Sequence, residues 1–322
     1  MRKLNNKSSN FFYLTLQLRL KYLSWWRFLK TIPRNFYHFR VSMKPQNTHA
    51  HAKDFHTAVS LLRGFFLAKN FIEVHPQSRL SILAACEDPS TITTFEYQWQ
   101  KRPLPQTGQM WLEHELLQNP SFPGVFCVTT SYRQEPNPVP WRHELIYPMF
   151  EFELHGGLEA LIALEKELLL YLWLTKNHSI ASLSYDDGCA KYWVETLEHE
   201  HEAAIAQDLS PVCLLTHFPY HTSPFWNMKR EGQTANKVDV LLRGMETIGS
   251  AERSCSPEEM RHEFHTISDG MYAQTLYDQF GIERVESELE QFLHYDFFPR
   301  SWGGIGMTRM IRALREAGVI SH

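Results

Sequence analysis

The sequence predicts an α+β fold, a mostly antiparallel β-sheet flanked by helices. Short strand-like runs follow one another in hairpin-like succession. The helical patterns are segregated between and after these runs, which indicates layers rather than a regular βα alternation. No internal repeat and no low-complexity linker occurs after residue 53, so the pattern belongs to one body.

The elements follow in order. Val59, Leu61, Leu62, Phe65, Phe66 and Phe71 recur at helical spacing, and Ile72, Glu73 and Val74 then read as a short strand ended by Pro76. Strands are predicted at 93–98, 109–112, 124–132 and 149–154, followed by a long amphipathic helix at 158–174. Further strands are predicted at 212–217, 225–229, 238–242 and 246–251. Helical patterns occupy 257–267, 271–280 and 285–293, and a Gly-rich stretch at 302–306 opens a last helix. The acidic stretch 198–202 reads as a solvated helix, because His199 and His201 do not share a helix face.

Composition excludes several classes. With 322 residues, 43% hydrophobic and only 21% charged, the chain holds enough apolar side chains for a packed core and too few charges for a disordered polyelectrolyte. Five widely spaced cysteines form no C-x-x-C pair, which suits reduced thiols in a cytoplasmic setting better than a disulfide framework or a zinc knuckle. The longest apolar run, residues 168–174, is far short of the roughly 20 residues a membrane helix needs, so no integral membrane association is expected.

Charge is distributed unevenly. Residues 1–42 contain nine of the 32 Lys and Arg and none of the 36 acids, so residues 43–322 hold 23 basic against 36 acidic side chains. A basic, aromatic-rich extension over 1–48 and a folded domain over 49–322 are expected. The extension suits a targeting or membrane-surface segment, an RNA-contacting arm, or an unstructured leader with Met43 as the true start.

Three segments carry a resemblance. The first is Phe71-Ile72-Glu73-Val74-His75-Pro76. The second is Tyr132-Arg133-Gln134-Glu135, a Pro-rich loop, Arg142-His143 and then Met149-Phe150-Glu151-Phe152-Glu153. The third is Gly303-Gly304-Ile305-Gly306-Met307-Thr308-Arg309. In this order they resemble motifs 1, 2 and 3 of class II aminoacyl-tRNA synthetases. Thr107-Gly108-Gln109-Met110-Trp111-Leu112-Glu113 and the segment from Gly244 to Arg253 resemble the aspartyl/asparaginyl subgroup, the asparaginyl enzymes above all. The resemblance covers roughly residues 54–319 and implies a class II synthetase fold. It includes no anticodon-binding domain, whose five strands need on the order of 70–100 residues.

The resemblance implies an ATP- and Mg²⁺-dependent ligase that activates an amino acid as its adenylate. Arg133 would hold the α-phosphate and the reacting carboxylate, a task suited to a bidentate guanidinium. Glu135 would accept from the adenine amino group, and Arg142 and His143 would reach the outer phosphates. Arg309 would stack on adenine opposite Tyr147, and Gly304 and Gly306 would let the backbone approach the nucleotide. Asp239 and Glu246 would bind Mg²⁺, for which hard oxygen ligands suffice. Glu87, Gln109, Glu113, Glu151 and Arg300 are the candidates for binding the amino acid; Glu153 reads as a solvated strand residue.

Leu112 stands where aspartyl enzymes place a lysine, and Glu113 follows the asparaginyl pattern, which favours an amide-bearing ligand. Arg300, where the family usually has His, restores aspartate as a candidate. Ile146, where the family usually has Glu, is a second departure. The acceptor is tRNA or, as in stand-alone relatives that make asparagine from aspartate, ammonia. A catalytically degenerate relative acting by partner binding is the non-enzymatic alternative. Motif 1 forms a dimer interface in the family, so a homodimer is expected.

Overall fold

The computed structural model describes residues 51–77, 81–82, 89–135, 144–175, 178–222 and 225–320. The basic extension, Glu87, Arg142 and His143 lie outside the described residues. Helix α1 (Ala52–Ala68) leads into strand β1 (Ile72–Glu73), and a hairpin of β2 (Thr94–Tyr97) and β3 (Gln100–Pro103) follows. Helix α2 (Gln109–Gln118) precedes the long strands β4 (Gly124–Tyr132) and β5 (Ile146–His155). Next come α3 (Leu158–Tyr171), β6 (Ala181–Ser184), α4 (Tyr185–Tyr192) and α5 (His199–Asp208). Strands β7 (Val212–Pro219), β8 (Arg230–Glu231), β9 (Thr234–Leu242) and β10 (Glu246–Glu252) lead to α6 (Pro257–Thr266), α7 (Met271–Phe280) and α8 (Ile282–Leu293). Strand β11 (Arg300–Gly306) and helix α9 (Met307–Glu316) close the described chain.

One sheet has the order β1-β4-β5-β11-β10-β9-β7-β6, with β8 paired to β9. Its pairings are antiparallel except β1 with β4 and β6 with β7. The predicted α+β class is therefore the observed one. Strand alternation sorts the side chains by face. Phe150, Phe152, Val238, Val240, Ile248 and Ile305 point to one side, where they pack with α1, α3 and α9. Phe66 of α1 centres this layer, its ring 4.9 Å from Phe152, 5.2 Å from Phe150 and 5.7 Å from Phe126. A second core on the other side joins α2 and α6–α8 around Trp226, Phe264 and Leu289.

Three predicted elements differ. Residues 109–112 form the first turn of α2 rather than a strand, because tertiary contacts claim several faces of the segment: Met110, Leu112, Leu116 and Glu113 are all fully buried. Residues 225–229 form a turn with one bridge, Met228 to Arg253, and their apolar character comes from packing in the second core. The Gly-rich stretch at 302–306 does precede the last helix, but as part of the central strand β11 rather than as a turn. Strand β6 and helix α4 were not predicted. The reading of 198–202 as a solvated helix holds: residues 198–200 are exposed at the start of α5, where Glu202 accepts the Glu246 N–H at 3.0 Å and His201 Nδ1 accepts the Glu198 N–H at 2.8 Å to cap the helix.

Glu165 of α3 is fully buried in the first layer. Burial pushes its carboxyl from the ordinary 4.5 up to about 8, with Ser250 of β10 opposing the rise. The unfolded chain ionises this group near its ordinary value, so between about 4.5 and 8 the folded chain binds the extra proton. Stability is therefore expected to fall with rising pH across that window, by up to about 1.4 kcal/mol per pH unit, and to level off above it. Urea denaturation of the wild type and Glu165→Gln at pH 5 and pH 8 checks this. An unchanged pH difference in the variant would overturn the assignment.

Candidate active site

The side of the sheet opposite α1, α3 and α9 carries a cavity of about 390 Å³. Register explains its floor. One lateral row across four strands reads Asp239, Gly249, Gly304 and Glu151; the next reads Lys237, Ala251, Trp302 and Glu153. Glycine at the middle of the first row leaves bare backbone. A Cβ on Gly304 would lie 2.6 Å from the Trp302 indole, and one on Gly249 would lie 3.1 Å from Glu246 Oε1 and 3.7 Å from Asp239 Oδ1. Even alanine would crowd the floor at Gly304.

Of the residues predicted from sequence, Gln109, Arg133, Glu135, Tyr147, Glu246, Gly304, Gly306 and Arg309 line this one cavity. They come from six different segments. Arg133 follows β4, and its N–H donates to Leu145 O at 2.8 Å, which anchors its backbone beside the start of β5. Its guanidinium stands 4.0 Å from Glu135. Arg309, in the first turn of α9, donates to Glu246 O at 2.7 Å and lies 3.5 Å from Glu246 Oε2. That contact ties the third motif to β10. Thr308 beside it donates to Glu144 at 2.9 Å.

Asp239 and Glu246 are carried by adjacent strands joined through a two-residue hairpin. Arg243 and Gly244 both have positive φ, at 51° and 78°, as a type I′ turn requires. The turn returns the chain so that both carboxylates converge above Gly249. No cluster of three His, Cys, Asp or Glu side chains suited to a metal occurs among the described residues. Two carboxylates over an open glycine nevertheless fit Mg²⁺, which binds through one or two protein carboxylates with phosphate and water completing its shell.

Other predicted site residues lie behind the wall. Glu113 is fully buried and accepts from Arg300 Nε at 2.9 Å and from Asn227 Nδ2 at 2.7 Å. Arg300 is equally buried, donates to Ser254 O and Phe298 O at 3.2 Å each, and stacks on Phe297. Neither lines the cavity. The acid expected to read an amide and the guanidinium expected to read a carboxylate are bonded to each other.

Glu151 is a further correction. Its carboxylate accepts from Gly108 N at 2.8 Å, from Thr129 at 2.6 Å and from Thr107, and so fixes the start of α2. Burial raises its carboxyl above the ordinary range, opposed by the bonds from Thr107, Thr129 and Gly108. Nearby Cys127 is held as a thiol, its pKa raised first by burial and then by Glu151. Glu153 is fully buried rather than solvated, 3.9 Å from Arg253. Burial pushes its carboxyl up, and Arg253 opposes the shift.

The sequence reading missed Lys237, Glu144 and Trp302, which line the cavity, and left Arg253 without a role. Lys237 was detectable, because two residues before Asp239 on a strand is the same face. Its ammonium lies 3.5 Å from Asp239 and 4.3 Å from the Phe218 ring centre. Arg253 is buried behind Gln109, donating to Gln109 Oε1 and Asn227 Oδ1 at 2.8 Å each.

Known proteins share this arrangement of strands. The family model for class II tRNA synthetases (D, K and N) matches residues 35–321. The aspartate–tRNA(Asp) ligase of Pyrobaculum aerophilum is 24% identical over 157 residues, covering 46% of this chain and 34% of that protein. The aspartate–tRNA(Asp/Asn) ligase of Methanopyrus kandleri is 21% identical over 252 residues, covering 65% of this chain and 57% of that protein. The asparaginyl-tRNA synthetase of Pyrococcus horikoshii, solved with asparaginyl-adenylate, superposes with a TM-score of 0.68 at 19% identity, over 82% of this chain and 64% of that one. The chain thus matches about a third to under two thirds of the length of these proteins.

Proposed function

Because this chain belongs to the class II tRNA synthetases of the D, K and N group, we propose that it activates an amino acid as its adenylate with ATP and Mg²⁺. The observation that carries this reading is the convergence of Arg133, Tyr147, Glu246 and Arg309 on one cavity floored by Gly249, Gly304 and Gly306. In the reaction a carboxylate oxygen bonds to the α-phosphorus, the bond to the β-phosphate bridging oxygen breaks, and pyrophosphate leaves with the electron pair.

Two anions must meet, so their repulsion is the barrier that the residues address. Arg133 holds the α-phosphate and the incoming carboxylate together. Tyr147 and Arg309 sandwich the adenine, and Glu135 accepts from its amino group. Asp239 and Glu246 would hold Mg²⁺, whose charge when bound neutralises phosphate oxygens. The resemblance implies aspartate or asparagine as the amino acid and tRNA or ammonia as the acceptor. The acidic balance of residues 43–322 favours the small acceptor, since affinity for an RNA backbone rests on Lys and Arg. The edge strand β1, where Ile72 is exposed, is the segment expected to meet a second copy in a homodimer.

ATP–pyrophosphate exchange with a panel of amino acids tests the reading. No exchange with any member, from protein shown to be folded, would sink it. Glu246→Gln and Asp239→Asn are each expected to raise the Mg²⁺ concentration giving half-maximal exchange by at least about tenfold. An unchanged Mg²⁺ requirement would remove the metal assignment while leaving the adenylation reading intact.

A further inference from the structure

Strand register separates the two ends of the cavity. Along β11 the cavity face presents Gly306, Gly304 and Trp302 in turn. Gly306 leads directly to Arg309 and its bond to Glu246, so that end belongs to the nucleotide residues. Trp302 marks the other end. Ala251 lies beside it on β10, and Lys237 lies beyond Ala251 on β9. The Trp302 and Lys237 backbones are thus two strand spacings apart, about 10 Å. In this row only the methyl group of Ala251 stands between them.

The polar groups of this end are mainly donors. The Lys237 side chain lines the cavity but is only 15% exposed, so water screens its charge little. Its ammonium stands 3.5 Å from Asp239, and its three N–H bonds suffice for that carboxylate and a second one. Gln109 lines the cavity too. Arg253 donates to its Oε1, and a guanidinium accepts nothing, so the amide N–H₂ is the part of Gln109 turned away from Arg253. Thr107 donates its hydroxyl proton to Glu151. The acids of the lining lie elsewhere: Glu135 beside Arg133, Glu144 on Thr308 and Glu246 on Arg309. Glu113, which could accept from a substrate amide, is fully buried outside the lining and takes Arg300 and Asn227 instead. A side-chain carboxylate reaching this end meets donors. A side-chain amide brings two N–H donors of its own to them.

We propose that Lys237 binds the second carboxylate of aspartate, the one not being activated, over the Ala251 floor, and so selects aspartate against asparagine. This rests on the adenylation reading above and narrows its substrate to a dicarboxylic amino acid. Arg133 and Lys237 then take one carboxylate each, from opposite ends of the cavity, and Lys237 is the specificity-determining residue.

The test uses the full chain in ATP–pyrophosphate exchange, with kcat and KM measured for aspartate, asparagine and ATP. Titration of aspartyl- and asparaginyl-sulfamoyl-adenosine, two stable adenylate mimics, adds a readout independent of turnover. The wild type is expected to favour aspartate by at least about tenfold in kcat/KM and to bind the aspartyl mimic more tightly. Lys237→Met, checked for folding by thermal denaturation, is expected to raise the KM for aspartate at least about tenfold and to lose the preference, with the KM for ATP held within about twofold. Lys237→Gln serves if the methionine variant does not fold, and Lys237→Arg, which keeps the charge, is expected to keep aspartate ahead. Wild-type exchange led by asparagine would overturn this inference and leave adenylation standing. So would an unchanged aspartate preference in the neutral variant, or a rise in KM confined to ATP. Silence with both amino acids, with neither mimic bound by folded protein, would overturn both.

Discussion

Arg133→Ala is expected to lower amino-acid-dependent pyrophosphate exchange by about 10³-fold, the scale lost when one positioned donor is removed from a developing charge. The guanidinium is the group placed to touch both anions, and a point charge reproduces only part of its fork. Arg133→Lys should therefore recover a minority of the activity. Folding should be nearly untouched, because the side chain is 34% exposed and its ion pair with Glu135, at 4.0 Å, contributes at most about 1 kcal/mol. Single-turnover measurement of adenylate formation, beside a melting curve for each variant, separates the two effects. Full exchange in the alanine variant would move the reacting centre elsewhere in the cavity.

Arg300→Met is expected to destabilise the fold by about 3–5 kcal/mol, measured by chemical denaturation. The side chain is 0% exposed, and its removal leaves Glu113 and Glu153 in the interior with Arg253 as their nearby cation and the Asn227 amide still donating to Glu113. Glu113→Leu with Arg300→Met together should cost clearly less than Arg300→Met alone, since a buried pair exchanged for apolar groups of similar size forfeits little. Equal losses in the single and double variants would mean that the guanidinium is held mainly by Ser254 O, Phe298 O and the Phe297 ring.

Local pattern carried much of the fold. The strand 124–132 was read to the residue as an apolar run buried on both faces, and the helix 271–280 from a period produced by burial on one face. Residues 109–112 were misread because Met110, Trp111 and Leu112 are too short an apolar run to show a period of their own. What makes it helical is the bond from Gly108 to Glu151, 43 positions away. That Arg133, Glu135, Tyr147, Glu246 and Arg309 share one cavity follows from contiguous motifs that the fold brings together. The burial of Glu113 and Arg300 outside that cavity was not legible. Glu113 and Arg300 are separated by 187 positions, and only the folded sheet shows that they neutralise each other. Glu153 likewise reads as a solvent-facing strand residue, and Glu151 as a pocket residue, until the partners that surround them are in place.

The bare strip of Gly249, Gly304 and Gly306 makes the cavity a property of strand alignment rather than of side-chain choice. With Gly249 opposite Gly304 no Cβ rises from the middle of the row, which leaves room for the Trp302 ring over Gly304 and the Glu246 carboxylate over Gly249. A slip of one residue between β10 and β11 would set Gly249 against Gly303 or Ile305, and would bring β11's alternation out of step with both sheet faces. Evolution can therefore retune this cavity from its walls, at positions such as Trp302, Met149 and Lys237. Its floor is open to change only through the pairing of the strands themselves.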